Sequence, residues 1–378
     1  MRCGLQSGRG TGPASWPGAV LFSLLLLLAG GCDRSPARFD VEAPLPGTLA
    51  ELGVLELRDG VLAPVDGIAY SLAHPLFSDY ARKYRTLHLP EGSRARPVTD
   101  GDVPASERTL RFPVGTLFTK TFYYPRGAGA EQVVLGPPAQ TPDPDAPLQL
   151  DGQRLIETRV LVHRADGWDA VAYLWEADGR TARRARTGAL VGLEATDGRS
   201  FDYLVPDVNQ CGGCHATDHG SRALAPIGPK PGNLAAVRLG ETDQYRIWVE
   251  RGLVEAGDVE AWPAAGSPAP RAYLDANCAH CHSDTGAADT AGLDLRRSAT
   301  ARGSGLCKAP VAAGRGSGGL AMDIHPGHPD ASILVYRMES TDPGILMPEL
   351  GRSLVHADGV RRVRDWIEAM EGSCDDAS

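Results

Sequence analysis

The stretch NQCGGCHATDHG, residues 209–220, places two cysteines three positions apart with a histidine directly after the second. A second copy, CAHCH, stands at residues 278–282. Two thiols about one helical turn apart can each add to a vinyl group on the same porphyrin edge, and the next residue then puts an imidazole under the iron. Zinc sites and thioredoxin-like redox sites also use Cys-x-x-Cys, but neither needs the following histidine. The pattern therefore predicts two covalently bound haem c groups. Cys211, Cys214 and His215 would hold the first, and Cys278, Cys281 and His282 the second. His215 and His282 are the expected axial iron ligands. The motifs begin at 211 and 278, which leaves 67 positions between the two starts and room for a separate small helical unit around each.

The sixth ligands divide the two sites. GILMPELGR (344–352) sets Met347 before Pro348, ahead of a terminal helix. A thioether in a Pro-anchored loop is the expected distal ligand of the second haem, and His/Met ligation raises the potential and suits electron transfer. The alternative is a packing role for Met347. For the first haem no methionine is in place: after Met1 the chain has Met322, Met338, Met347 and Met370, and none falls between the motifs. Either the ligand comes from elsewhere or the face is open. His163, which ends the apolar run TRVLVH, is one candidate, against the reading of a histidine at a hairpin end. Met322 is another. His219 lies only four residues after His215, too close to wrap a porphyrin. His280 reads as a spacer inside its motif. His74, His88, His325, His328 and His356 read as structural or solvated, and Met338 and Met370 as packing on helix faces.

Outward from the motifs, residues 49–205 read as β-rich. TLRFPVGTLFTKTFYYP (109–125) is full of Thr, Phe, Val and Tyr, and residues 154–184 hold two apolar runs each followed by Ala-Asp-Gly, a signal for tight hairpins in a meander. Residues 127–152 read as a Pro/Gly-rich loop. After 205 the character changes. Helices are expected over 240–254, over 268–282 running into the second motif, and over 356–370, where Val360, Val363, Trp366, Ile367 and Met370 share one face. The expected fold class is α+β and multidomain: a β-rich domain (49–205), a first haem unit (206–267) and a second (268–378), both small and mainly helical. Gly314 to Gly319 matches G-x-G-x-x-G, but a dinucleotide site needs a βαβ setting. It reads instead as a loop whose backbone approaches haem, with Arg315 near a propionate. PIGPKPGNL (226–234) reads as a rigid loop over the first haem, with proline carbonyls as acceptors for the His215 ring N–H.

The N-terminus reads as an export signal over 1–31. Arg2 and Arg9 precede the apolar run 19–28, which is too short to span a bilayer comfortably. AGGC (29–32) resembles a lipobox, which makes Cys32 the expected site of lipidation and 32–48 a tether; the alternative is ordinary secretory cleavage. Of the eight cysteines, Cys3 goes with the signal and four serve the motifs. Cys307 and Cys374 remain and are expected to pair as a disulfide in an oxidising compartment. Net charge is −9, so nucleic acid is an unlikely partner. Forty-five glycines and 29 prolines against 6% aromatics suit short strands and loops rather than long bundles.

Residues 271–374 resemble a class I cytochrome c domain. CAHCH, GLDL (292–295), PGHPDASILVYRM (326–338), LMPELG (346–351) and the Trp-Ile helix carry that resemblance. Across most of the mature chain the motif order is similar to a family of exported bacterial dihaem c-type cytochromes. PLFSDYARKYR (75–85), PVGTLFTKTFYYP (113–125), RLIETRVLVH (154–163), NQCGGCH and APVAAGRGSGGL (309–320) carry it. The resemblance implies a β-rich leading domain with two haems behind it, and it brings no reaction or catalytic residue. Two functions are then expected to compete. One is a lipid-anchored electron carrier on the periplasmic side of a bacterial membrane, passing electrons between a redox protein partner and the respiratory chain. The other is a peroxidase-like dihaem enzyme with an open face at the first haem. A β domain that docks the haems onto a partner is compatible with the first.

Overall fold

The computed structural model describes residues 39–99, 104–129, 131–136, 145–311 and 314–374. The expected signal peptide and Cys32 lie outside them. The chain is β-rich with few helices, 26% strand against 17% helix, which supports the β-rich part of the expectation.

A six-stranded antiparallel meander forms the centre: β1 (Ile68–Tyr70), β2 (Arg82–His88), β3 (Leu117–Pro125), β4 (Gln153–Arg164), β5 (Gly167–Trp175) and β6 (Ala182–Arg184), each strand paired with the next in the chain. Both Ala-Asp-Gly sites are its hairpin turns. Arg164 opposes Gly167 at the first, and Gly179 at the second takes a left-handed φ of 66° that glycine adopts without strain.

Alternation along the strands builds two faces. On one, Leu117, Val160, Val162, Val171 and Tyr173 pack with Leu52 and Leu62 from the chain before β1. Hydroxyl pairs satisfy the threonines there: Thr86 with Thr119 at 2.6 Å and Thr121 with Thr158 at 2.8 Å. The other face is apolar at both ends. Leu87, Phe118, Leu161 and Ala170 occupy one end, Phe122 and Ala172 the other. A hairpin of β7 (Ala189–Ala195) and β8 (Ser200–Val205) covers the Phe122 end with Leu193, Tyr203 and Val205. Three short helices, α1 (Cys211–His215), α2 (Pro231–Ala235) and α3 (Gln244–Glu250), bring Leu234, Tyr245 and Trp248 over the Phe118 end. Behind them α4 (Pro270–Asn277), α5 (Ile333–Glu339) and α6 (Ala357–Glu368) enclose a separate core of Leu274, Leu295, Ile324, Val335, Val363 and Ile367.

The helix expected over 240–254 is shorter. Residues 238–243 form a two-stranded ribbon turning at Gly240, and Asp243 then caps α3 by accepting from the Arg246 amide at 2.9 Å. Gly252, with φ 71°, follows its end. The helix expected over 268–282 stops at Asn277, so CAHCH sits on turns. The second half of the expected tether is a correction too. Within 39–48, Leu45 is buried and Phe39 and Val41 pack on the core, because Arg164 donates to the carbonyls of Val41 and Ala43 and Arg184 to that of Leu45.

The expected domain boundaries at 205/206 and 267/268 fall inside one compact unit, 38–378. Segment 71–80, between β1 and β2, stitches it together. Ser71 and Gln244 exchange two hydrogen bonds, as do His74 and Asn233. The Phe77 amide donates to Asn277 at 2.7 Å. The buried Asp79 carboxylate accepts from the Ser353 and Leu354 amides. Side chains thus do between segments what a β-ladder does within a sheet.

Gly359 is where α6 crosses α4, and a Cβ there would run into the Tyr273 ring. Gly359→Ala would push that ring off its 3.1 Å contact with His356. It is expected to cost about 2 kcal/mol by overpacking, read as a lower urea midpoint at unchanged m-value.

Candidate functional site

A cavity of about 810 Å³ lies between the cation-bearing face of the meander and the two Cys-x-x-Cys-His motifs. Cys211, Cys214 and His215 stand on one wall of it. Pro206 leads in from β8, and Asp207 begins the turn: its carboxylate accepts from the Asn209 and Gln210 amides at 2.7 and 2.9 Å. The single helical turn of α1 then sets the two thiols and the imidazole in succession. His215 Nδ1 lies 2.8 Å from the Ala225 carbonyl, and the Ala225 amide donates back to the His215 carbonyl at 2.8 Å. The acceptor expected among the proline carbonyls of PIGPKPGNL is instead Ala225, one residue before that stretch. With the proton on Nδ1, Nε2 carries the lone pair. Burial, then the charge of Lys120, holds the imidazole pKa down at about 4, so the ring is neutral. All four motif thiols are free. Burial pushes each of them up, Cys278 to about 12 and Cys281 to about 11, so they are thiols and not reactive thiolates.

The two motifs touch. The Cys281 thiol donates to the Gly213 carbonyl at 3.4 Å, the His219 amide to Thr285 at 2.7 Å, and the Thr285 hydroxyl to Thr217 at 3.2 Å. Gly213 permits the approach: a Cβ there would meet Leu350, three residues past Met347. His280, expected as a spacer, is itself on the cavity wall. Burial, then the neighbouring His215, lowers it to about 4.

Met347 belongs to a loop clamped by one guanidinium. Arg352 donates to the carbonyls of Met347, Arg337, Met338, Ser340 and Leu354. The Met347 amide in turn donates to Arg337 at 3.0 Å. Burial, then the Arg337 charge, lowers His282 to about 4, so Arg337 neighbours both His282 and the methionine loop. His282 Nδ1 is buried and unpartnered, and the amide of Leu295, from the GLDL stretch, donates to its carbonyl at 3.0 Å.

His163 lies on the cavity face of β4, two positions beyond Leu161. Its ring stacks on Trp168 at 4.4 Å, and Nδ1 sits 3.0 Å from the Phe112 carbonyl. It is part of the cavity wall and also stands at the hairpin end, paired with Trp168 beside the Arg164–Gly167 turn. His74 lines the cavity too, with Nε2 held by the Pro263 carbonyl at 2.8 Å. Met322 is placed elsewhere, with its carbonyl on the Ile333 amide. Arg315, expected near a propionate, pairs with Asp342 at the surface. Cys307 and Cys374 are joined in a disulfide.

The same cavity is lined by Lys83, Arg85, Lys120 and Arg159. The sequence singles out none of these four residues, because only strand register brings them together. Across from them the Lys230 ammonium, on the PIGPKPGNL loop, bonds Asp275 of α4 at 2.7 Å and Glu107 at 3.2 Å. That pins the loop between the β layer and the second motif. Among the described residues, no three of His, Cys, Asp and Glu converge as a metal-ligand group, and no helix is long and apolar enough to cross a membrane. No family model matches the chain, and neither does any curated protein or any solved structure.

Proposed function

We propose that the chain is an exported dihaem c-type cytochrome that carries electrons between a redox protein partner and the respiratory chain, held to the periplasmic side of a bacterial membrane through Cys32. The contact between the two Cys-x-x-Cys-His motifs carries this reading. It sets two attachment sites side by side in one body, where a pair of one-electron centres is useful and a lone structural thiol pair is not. The residues fit the group: two free thiols and an oriented, neutral imidazole beside a cavity of cofactor size at the first site, and a buried histidine with a clamped methionine loop at the second.

Haem c supplies reversible one-electron iron chemistry when bound. The protein's part is to hold it. Ala225 holds the His215 ring by Nδ1, so that Nε2 would be the atom left to bind iron. Arg352 holds the loop of Met347, the residue that would ligate the second haem. His163 is the candidate for the sixth position of the first, because Phe112 holds its Nδ1 and leaves Nε2 free. The acidic balance, −9, suits a basic redox partner.

Matured in a host with a c-type maturation system, the protein is expected to show two haems per chain by pyridine haemochrome. Cys211→Ser/Cys214→Ser should show one. Both irons should be low-spin and silent to carbon monoxide, and His163→Ala should open one of them. A wild-type chain that takes up no haem sinks the reading. A wild-type iron that is high-spin and binds carbon monoxide replaces the carrier with a dihaem enzyme.

A further inference from the structure

Arg85, Lys120 and Arg159 are direct cross-strand neighbours on β2, β3 and β4. Like charges directly opposite one another on a sheet face are destabilising, and burial removes the water that would screen them. Lys83, two residues along on β2, lies on the same face, where burial, then the charges of Arg85 and Lys120, pushes its pKa well below the usual lysine value. The partners on hand do not balance this. Glu157 takes Arg159 at 2.5 Å and also accepts from the Tyr203 hydroxyl at 2.7 Å. Lys83 donates to the carbonyls of Leu76 and Ala81, and Arg85 only to that of Lys83 at 3.4 Å. Among the described residues the Lys120 ammonium meets no hydrogen-bond acceptor. It stands 5.2 Å from the centre of the Phe122 ring, half-buried on the cavity wall, and desolvation, then the charges of Arg159 and Arg85, lowers its pKa to about 7. These side chains line the same cavity as Cys214 and His215, and the charges of Lys120 and Arg159 reach both. A fold that sets uncompensated cations around a cavity sacrifices stability for a ligand of opposite sign.

We propose that the row Arg85–Lys120–Arg159 is an anion seat that receives carboxylate or oxyanion oxygens beside the first Cys-x-x-Cys-His motif. Two sources share this chemistry: the propionates of a haem bound at Cys211 and Cys214, and a small diffusible oxyanion that enters the cavity. The inference deepens the haem reading and rests on it for the first source only. The second needs no haem.

The test uses the full matured chain, with haem content measured first so that failure of the haem reading is seen separately. Wild type, Lys120→Met and Arg85→Gln are compared, and Lys120→Met is the safer fold because it relieves repulsion without leaving a hole. Two quantities are read: the midpoint potential of each haem, and the rise in melting temperature on titration with sodium nitrite. Propionates on the row predict no saturable nitrite effect and one midpoint potential lowered in both variants by about 59 mV, the one-electron equivalent of a tenfold change. A diffusible oxyanion predicts a saturable rise in melting temperature in wild type, with the apparent affinity at least about tenfold weaker in both variants, whether or not haem is present. If the folded variants match wild type in both quantities, the seat does not exist.

Discussion

Glu157→Gln is expected to destabilise the haem-free chain by about 3 kcal/mol, more than any other single change on the meander. The side chain is fully buried, its oxygens lie 2.5 and 3.0 Å from the Arg159 guanidinium, and Tyr203 donates to it at 2.7 Å. Removing one member of a buried pair leaves the other charged and unpaired, which costs more than the pair itself contributes. Here the loss is compounded, since the same carboxylate also offsets Lys120 on the neighbouring strand. Urea unfolding of the two proteins checks the size. The cause is checked by Lys120→Met in the same background: with one cation gone, about 1 kcal/mol of the loss should return, and a double-mutant cycle should show coupling between positions 120 and 157. Strict additivity would mean that Glu157 serves Arg159 and Tyr203 alone. The same variant bears on the anion seat. With an anion on the row, Arg159 and Lys120 gain a second negative partner beside Glu157, so the penalty should shrink in the loaded protein.

Why this row escaped a reading of the sequence is a matter of period and distance. Arg85, Lys120 and Arg159 stand 35 and 39 positions apart, counted from 85 to 120 and from 120 to 159. Their neighbours do not mark them: Lys120 stands between Thr119 and Thr121, Arg85 between Tyr84 and Thr86, and Arg159 between Thr158 and Val160. Only the register of the meander puts them side by side, and only the motif segments laid over that face close them in. The motifs themselves were legible because their chemistry is local: two thiols and an imidazole within one turn need no tertiary information. The hairpins were legible for the same reason, at Ala165-Asp166-Gly167 and Ala177-Asp178-Gly179, where the turn states its own conformation. Segment 71–80 was not. His74, Phe77 and Asp79 meet partners more than 150 positions away, at Asn233, Asn277 and Ser353. No periodicity encodes that, so these contacts between distant segments are not legible in the sequence.

Cys307→Ser/Cys374→Ser is the other large effect, expected at about 4 kcal/mol. The bond closes a loop of 67 residues, and restricting a loop of that length in the unfolded chain is worth roughly this much. The setting makes the full amount expected. Between Asn277 and Ile333 the described chain has no α-helix and no named strand, only short 3-10 turns and isolated bridges. A segment so poor in regular hydrogen bonding depends on its ends being fixed. Cys307 is anchored through its amide to Ile324 at 2.9 Å, and Cys374 follows α6, whose Val363 and Ile367 lie in the core beneath Leu295 and Ile324. The bond therefore ties the loop that follows the second motif to the helix that closes over it. Wild-type protein melted with and without dithiothreitol should show the loss, and the double serine variant should show it without reductant and no further change with it. The accompanying sign is local: if the proposed haem reading holds, the covalently attached second haem stays on the chain while its Met347 ligation is lost below the main transition. A variant that melts like wild type would place the stability of this segment in the Val363–Ile367 contacts alone.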